Sequence, residues 1–369
     1  MQDINTHNIQ KLVSLITKAG KIAVVSHMKP DGDALGSCLG MYHFLSACGK
    51  EDKRIILPNC TPSYLDFLMD RETARKLLIH DLKPAQAEAA IAESDLIICL
   101  DFNAFHRTDS LERCLEDSKA EKILIDHHLN PDRDRFTLSF SETEISSASE
   151  LTYSILMQTP RIGGDARKLP SEAALALMTG MTTDTNNFAN SVFPSTLTMA
   201  SELIASGVDR DDILCHLLQS YRENRVRAFA HLLGERMVVR PEGYAYIIMN
   251  YAEWKNFGLR DGALEGLVNV PLSIREVRLS LFLREDEPPA EGGQTGGKFR
   301  VSIRSKRGVS ANRLAGSFFH GGGHEQASGG KLFYPGDIAG PTDAALYVDE
   351  SVREFLLSGT ENAKDDELK

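Results

Sequence analysis

No apolar run in this 369-residue chain approaches the roughly 18 residues that a membrane-spanning helix requires. The N-terminus also lacks the basic and then apolar layout of a secretion signal. The chain is therefore expected to act in the cytoplasm, without membrane contact. Cysteine is sparse and unpatterned. The six residues, Cys38, Cys48, Cys60, Cys99, Cys114 and Cys215, contain no CxxC pair, which argues against a disulfide framework or a thiolate zinc site, and they read as small buried hydrophobes. Positive charge is in deficit. A net charge of −11 speaks against a protein that coats long nucleic acid, because such binding is dominated by phosphate neutralisation. Bound cations or a local basic patch would still hold a small anion. No internal repeat occurs at solenoid periods. At this length two domains are expected, each large enough to bury a core.

What the chain does contain is an alternation of short apolar runs with helical periodicity. Residues 21–25 (KIAVV), 54–57 (RIIL), 96–100 (LIICL) and 122–125 (KILI) read as strands, interleaved with helices at 34–47 and 84–93. Ile9, Leu12, Val13 and Ile16 mark an N-terminal helix over one sheet edge. Fully apolar strands alternating with helices specify an α/β domain with a parallel sheet covered on both faces. Residues 147–158 and 171–182 are two further helices, the second capped by Ser171. The expected organisation is an α/β domain over residues 1–193, a helical connector over 194–234, and a smaller α+β domain over 235–369. The last is built from strands near 244–249, 276–283, 298–305 and 331–334. Within it, residues 285–297 are acidic, rich in Gly and Pro and without apolar period, and are expected to form a mobile hairpin loop. Residues 361–369 read as a charged tail.

The residues with chemical potential fall at strand ends. In 26–37 (SHMKPDGDALGS), His27, Asp31 and Asp33 directly follow the first strand, where open α/β sheets place their ligands, and Gly32 and Gly36 are expected to let the loop turn tightly. The i, i+4, i+6 spacing either brings one imidazole and two carboxylates onto a single hard cation or divides them between two. Asp101 ends the run 96–100, the triplet Asp126, His127 and His128 follows 122–125, and Asp184 follows an apolar helix in TGMTTDTNNF. Parallel packing would align these ends along one edge, where several carboxylates repel one another unless cations neutralise them.

In the second domain, residues 298–313 hold Lys298, Arg300, Arg304, Lys306, Arg307 and Arg313 with no acidic residue. Strand alternation turns Phe299, Val301 and Ile303 inward and Arg300, Ser302 and Arg304 to the other face; Arg278 and Ser280 likewise oppose Val277, Leu279 and Leu281. Gly321, Gly322 and Gly323 are expected to form an anion-binding nest, with Arg304 and His324 as partners. The other histidines, His7, His43, His80, His106, His216 and His231, lack acidic neighbours at ligand spacing and are assigned to surface or core.

Taken in order, SHMKPDGDALGS, Asp101, the triplet Asp126, His127 and His128, TGMTTDTNNF and the later GGGHEQASGG resemble the DHH phosphoesterases. The last piece resembles the glycine-rich signature of that family's DHH-associated C-terminal domain. The resemblance covers nearly the whole chain apart from the acidic loop and the tail. It implies two divalent cations, usually manganese with magnesium or cobalt as substitutes, in a crevice between the domains. His27 and Asp31 would hold the first, Asp33, His127 and Asp184 the second, and Asp101 would bridge both, with a bridging water activated for in-line attack at phosphorus. Asp126 is expected to orient the ring of His127, and His128 to face substrate as a donor or acid. Arg304, Ser305, Gly321, Gly322, Gly323 and His324 are implied in substrate recognition. Two departures stand out: His320 precedes the glycine run where relatives commonly carry another Gly, and Ser328 stands where Ala is frequent.

The activity implied is of the nano-RNase type. Short oligoribonucleotides of two to five residues would be cut to 5′-mononucleotides, and adenosine 3′,5′-bisphosphate would be dephosphorylated to AMP. An alternative is hydrolysis of cyclic dinucleotides or of their linear products. A non-catalytic nucleotide-binding regulator would be expected to have lost a metal ligand, and none of the six is missing. The partners expected are short RNA or nucleotides, with no long nucleic acid and no membrane; the oligomeric state stays open, a homodimer included.

Overall fold

The computed structural model describes residues 4–219, 221–260, 262–288, 296–323 and 325–366, with side chains as far as residue 358. The chain divides into two compact units, Met1–Ser220 and Tyr221–Lys369, so the helical stretch 194–234 falls on both sides of the division.

In the first unit, helix α1 (Thr6–Lys18) precedes strands β1 (Ile22–Val25), β2 (Lys53–Leu57), β3 (Leu77–Ile79), β4 (Leu96–Leu100), β5 (Glu121–Asp126) and β6 (Leu138–Ser141). Helices α2 (Gly32–Ala47), α3 (Arg71–Lys76), α4 (Pro84–Ala92) and α5 (Glu112–Asp117) lie between the strands. Helices α6 (Ala148–Met157), α7 (Ser171–Asp184), α8 (Pro194–Ala205) and α9 (Arg210–Leu218) follow them. All six strands pair in parallel in the order β3-β2-β1-β4-β5-β6. Alternate side chains sort into two cores. Ile22, Val24, Leu96, Ile98, Ile123 and Ile125 enter one, and Ala23, Val25, Ile97, Cys99 and Leu124 the other. Burial on both faces is why these strands are unbroken apolar runs. The β3 and β6 edges escape that pattern because they are short and only half covered.

Several local expectations are corrected. Gly32 and Gly36 lie inside α2, with φ in the ordinary range, rather than in a turn. Their role is close packing: a Cβ on Gly36 would sit 2.5 Å from Ala176 O and 2.9 Å from Gly180 Cα, so α2 and α7 meet backbone to backbone. Ser171 does not cap α7; Pro170 precedes the helix, and the Ser171 hydroxyl bonds Glu172 at 3.0 Å. Cys60 and Cys215 are exposed rather than buried, and all six cysteines are free. His80, His216 and His231 do have carboxylate partners, Glu88 at 3.2 Å, Asp212 at 3.6 Å and Glu253 at 3.0 Å, brought close by the fold or by a helical turn.

The second unit holds α10 (Glu223–His231), β7 (Met237–Arg240), β8 (Tyr244–Met249), α11 (Tyr251–Asn256), β9 (Leu279–Glu285) and β10 (Gly297–Ser305). After these come α12 (Ala311–Phe318), β11 (Gly322–Gly323), β12 (Ala327–Tyr334) and α13 (Ala344–Asp366). Its sheet runs β11-β12-β10-β9-β8-β7, antiparallel throughout except between β8 and β9. The alternation expected for β10 is present: Phe299, Val301 and Ile303 are buried, Arg300 is exposed, and Ser302 and Arg304 lie between.

Glu285, expected to open a mobile loop, instead closes β9 in a buried position, accepting from the Tyr251 N–H at 2.9 Å and the Tyr334 hydroxyl at 2.6 Å. The core of that loop, residues 289–295, lies outside the described residues. The charged tail is helical through Asp366, and its last three residues also lie outside them. Among the described residues no helix is long and apolar enough to cross a membrane.

Candidate active site

β1 and β4 are neighbours from which the chain winds in opposite directions, to β2 and β3 on one side and β5 and β6 on the other. In such sheets the strand ends at this switch point splay open to form a crevice. His27 leaves β1 there. Its Nδ1–H donates to Met28 O at 2.8 Å, which turns Nε2 toward Asp101 Oδ2, 3.2 Å away. Asp101 leaves β4 with φ of 63° while its own N–H bonds Ile125 O at 3.1 Å. For a residue with a side chain this left-handed conformation costs about 1–3 kcal/mol, and it aims the carboxylate at the histidines of both neighbouring strands.

Asp31 and Asp33 are not loop residues but belong to the start of α2. Asp31 caps the helix, its Oδ1 accepting the N–H groups of Asp33 and Ala34 at 3.0 Å each. Asp33, one residue into the helix, is buried. Its two oxygens accept from the first N–H groups of α6, Ala148 at 2.7 Å and Ser149 at 2.9 Å, an arrangement that favours a carboxylate. His127 then faces three carboxylates through Nε2: Asp101 at 3.4 Å, Asp184 at 3.8 Å and Asp33 at 4.0 Å. Asp184 is the last residue of α7, with 31% of its side chain exposed.

Three overlapping sets of donor atoms result, each within 4.8 Å: His27, Asp31 and Asp101; Asp33, His127 and Asp184; and Asp101, His127 and His128. Asp101 belongs to the first and the third, and His127 to the second and the third. The fold thus assembles all six residues read from the sequence as ligand candidates. Asp126 has a different partner from the one expected. Its Oδ1 lies 2.7 Å from His128 Nδ1, and its Oδ2 accepts the His128 N–H at 3.1 Å. Asp126 reaches the residue two on, while the intervening His127 packs its ring edge-on against that of His128, centroids 4.7 Å apart, and turns Nε2 to Asp101.

The electrostatics follow from crowding acids together. Loss of solvation would lower the His27 imidazole, but the hydrogen bond and charge of Asp101 outweigh it and carry the pKa up to about 9. His127, likewise opposed by burial, is raised to about 10 by Asp101, Asp184 and Asp33. Burial pushes Asp101 up, yet His127 and His27 hold it below the usual carboxylate range. Loss of solvation and the charges of Asp101 and Asp31 lift Asp184 to about 7 against the pull of His127. Asp33 is raised by burial and by Asp101 and Asp184.

Among the described residues, the ion pairs made by Asp33, Asp101 and Asp184 are with histidines alone. Protons on imidazole are thus the local counter-charge. A donor set of imidazoles and hard carboxylate oxygens fits first-row divalent cations, which would replace those protons.

The remaining candidates lie in the second unit. Arg304 is half-buried and donates through Nη1 to Ile303 O at 2.9 Å and Ser328 O at 3.4 Å. The Ser305 hydroxyl is engaged by Val309 O at 2.6 Å. The glycine nest is not formed: Gly321 N–H bonds Ala315 O at 3.1 Å, Gly323 N–H bonds Asn312 Oδ1 at 2.9 Å, and Gly322–Gly323 is an edge strand against β12. These glycines instead permit close approach of strands; a Cβ on Gly321 would overlap Gly329 O. His324 lies outside the described residues. At the first departure from the family pattern, His320 adopts φ of 46° and bonds Asp337 at 2.8 Å; at the second, Ser328 is buried opposite Gly323.

Sequence reasoning missed two supports. The amides of Ala148 and Ser149 are announced only by the capping pattern of Ser147 and Glu150. Arg210, which donates to Asn187 Oδ1 and lies 5.5 Å from the Phe188 ring in the turn after Asp184, has no sequence signal.

A doubly wound parallel sheet with acidic and imidazole groups at its switch point, joined to a mixed-sheet unit, defines a two-unit hydrolytic enzyme. The match to the DHH family, N-terminal domain, spans residues 21–181, and that to the DHHA1 domain spans 243–340. The chain belongs to the DHH family and is a hydrolase of that family.

It is similar to an exopolyphosphatase-related protein from Bacteroides fragilis, with a TM-score of 0.86, 34% identity, and coverage of 98% of this chain and 99% of that one. It is 28% identical over 329 residues to the bifunctional oligoribonuclease and PAP phosphatase NrnA of Thermus thermophilus, covering 87% of this chain and 88% of the relative. A third likeness is to the cyclic-di-AMP phosphodiesterase GdpP of Geobacillus thermodenitrificans, 30% identical over 204 residues. It covers 54% of this chain but 30% of that longer protein.

Proposed function

We propose that this protein is a manganese-dependent phosphoesterase that cuts oligoribonucleotides of two to five residues to 5′-mononucleotides and removes the 3′-phosphate from adenosine 3′,5′-bisphosphate. The observation that carries the metal half of this reading is Asp101. It stands between His27 and His127 at the switch point, inside a cluster of acids whose ion pairs are with histidines. The substrate half is supported by the likeness to NrnA proteins over most of both chains. A cytoplasmic location accords with that substrate class.

His27, Asp31 and Asp101 would hold one cation, and Asp33, His127 and Asp184 the other, with Asp101 reaching both. When bound, two such ions supply Lewis acidity toward a phosphoryl group and an activated water. The chain's own residues do the rest. The Met28 carbonyl holds the Nδ1 proton of His27, leaving Nε2 as the donor atom. The α6 amides fix both oxygens of Asp33. Asp126 orients His128 through Nδ1, so that its Nε2 is the atom to pass a proton to the leaving oxygen or to hydrogen-bond a phosphoryl oxygen. Arg304, Ser305 and His324 are assigned to substrate recognition in the second unit, with Arg304 as the cation for a phosphate.

Product analysis with purified protein tests this. With manganese, pGpG and pApA should give 5′-mononucleotides, adenosine 3′,5′-bisphosphate should give AMP, and a chelator should stop both reactions. Dinucleotides that survive long incubation with manganese contradict the proposal. The likeness to GdpP supports a second reading, hydrolysis of cyclic di-AMP; release of pApA from the cyclic form, faster than pApA itself is consumed, would favour it.

A further inference from the structure

Glu150 is fully buried in the first turn of α6, and among the described residues its side chain takes no direct part in the hydrogen bonds that hold the clustered acids and histidines. Its hydrogen bonds converge on one oxygen. Oε2 accepts from the Ser146 N–H at 3.1 Å, from the Ser146 hydroxyl, and from the Thr196 hydroxyl at 2.6 Å. Oε1 has no hydrogen-bond partner among the described residues. A helix cap does not require this, because Ser147 already caps α6 through the Glu150 N–H at 3.0 Å. Burying a carboxylate whose second oxygen is unsatisfied is unfavourable, so its retention points to what the first oxygen ties together.

One tie leads to Asp33. Ser146 is the approach to α6, and the amides two and three residues on, those of Ala148 and Ser149, hold both Asp33 oxygens. The other leads to Asp184. Thr196 Oγ1 accepts the Phe193 N–H at 3.1 Å while donating to Glu150, which closes the segment that begins at Asp184. That segment contains Asn186, Asn187, Phe188 and Ser191, all at positive φ, so its path depends on being held at both ends. Glu150 therefore joins the supports of two carboxylates in a single donor set, Asp33, His127 and Asp184. The hydrogen bonds that place His27 and Asp31 do not pass through it.

We propose that Glu150 is a positioning residue for that set: it fixes the separation of the Asp33 and Asp184 carboxylates and so governs the set's affinity for a divalent cation. The proposal rests on the reading that the set holds a cation.

The test is titration of chelator-treated protein with Mn(II), followed by electron paramagnetic resonance and calorimetry, together with thermal melting, for wild type, Glu150→Gln, Thr196→Val and Asp184→Ala. Wild type should bind two equivalents, and Asp184→Ala should identify which class belongs to this set. Glu150→Gln should weaken that class by about 10-fold or more, in the range seen when groups behind a ligand are altered, and leave the other within about twofold. Thr196→Val should move the same class by less. Unchanged affinities in Glu150→Gln overturn the proposal, whether or not melting falls, because a plain helix cap would alter melting alone; equal weakening of both classes overturns it as well. Should Glu150→Gln fail to fold, unchanged affinity in Thr196→Val overturns it. Wild type that binds no Mn(II) removes the metal reading and this proposal together, whereas two intact classes in Glu150→Gln and Thr196→Val, with one lost in Asp184→Ala, remove this proposal only.

Discussion

Asp126 and His128 form a 2.7 Å pair between Oδ1 and Nδ1, across a single intervening residue whose imidazole faces Asp33, Asp101 and Asp184. Under the proposed function His128 passes protons and His127, on the adjacent position, holds a cation. His128→Ala is expected to lower kcat by about 10²–10⁴-fold with the Mn(II) stoichiometry unchanged, and Asp126→Asn to follow it in part. Loss of bound metal in His128→Ala, measured by atomic absorption after dialysis, would contradict that division.

Asp101→Asn should behave differently. It removes the charge that pairs with His27 and His127, so both the affinity for Mn(II) and turnover should collapse. In the wild type, Mn(II) at 100 times its Kd is expected to add about 2.7 kcal/mol to unfolding, raising the melting temperature above that of the chelated protein. A melting temperature that is indifferent to Mn(II) in wild type, or that rises equally in Asp101→Asn, would refute this.

Arg304→Ala is expected to raise KM for dinucleotides while leaving Mn(II) binding at the wild-type level, because the guanidinium belongs to the second unit and the donor atoms to the first. Steady-state kinetics beside a metal titration check it. Parallel loss of metal and substrate binding would show the role of Arg304 to be structural.

Gly36→Ala probes the helix contact. The added methyl meets Ala176 O and Gly180 Cα, backbone atoms without freedom to yield. Because the atoms it meets are backbone, overpacking should cost about 2–3 kcal/mol, the upper part of the usual range; a helix-propensity gain of about 1 kcal/mol opposes it, and a net loss of about 1–2 kcal/mol is expected in urea unfolding. A variant as stable as wild type would mean that α2 and α7 are free to separate.

The second unit supplies a pH test. Asp349 is buried and meets Arg240 through two nitrogens and the Tyr244 hydroxyl at 2.6 Å. Loss of solvation pulls its carboxyl up, but Arg240 and Tyr244 prevail and hold its pKa below the ordinary value. A depressed folded pKa contributes stability that is present above the unfolded value of about 4 and is lost as pH falls through the folded value. Asp349→Asn should therefore have a lower urea midpoint at pH 7, and the gap from wild type should close as both are acidified below about pH 4. A gap of constant size across that range would rule out this linkage.

The legible parts of the molecule were those where one residue pattern does one job. β1, β4 and β5 are buried on both faces, so each is an apolar run, and the polar residue that stops each run marks the same edge of the sheet. That is why the sequence pattern alone brings His27, Asp101 and His127 together. β6 (LSFS) and β3 (LLI) are too short to carry a period. The glycines misled in both units because Gly serves close packing as readily as turning, and sequence does not separate the two uses. Asp126 and Glu150 have in common that their partners follow from the path of the chain beyond them.

The glycine face of α2 sets a limit on tuning. Asp31 and Asp33 open that helix and Asp184 closes α7, and the two helices touch through backbone at Gly36 and Gly180. The pair behaves as a caliper whose coarse gap is set by that contact and whose tips are held by the supports Glu150 joins: three of the four clustered carboxylates hang from these two helices, whereas His27, Asp101 and His127 hang from the ends of strands. In the proposed site, adaptation to an ion of another radius would fall to the strand ends and to the supports joined by Glu150, and a mutation that shifts the caliper would alter both donor sets together.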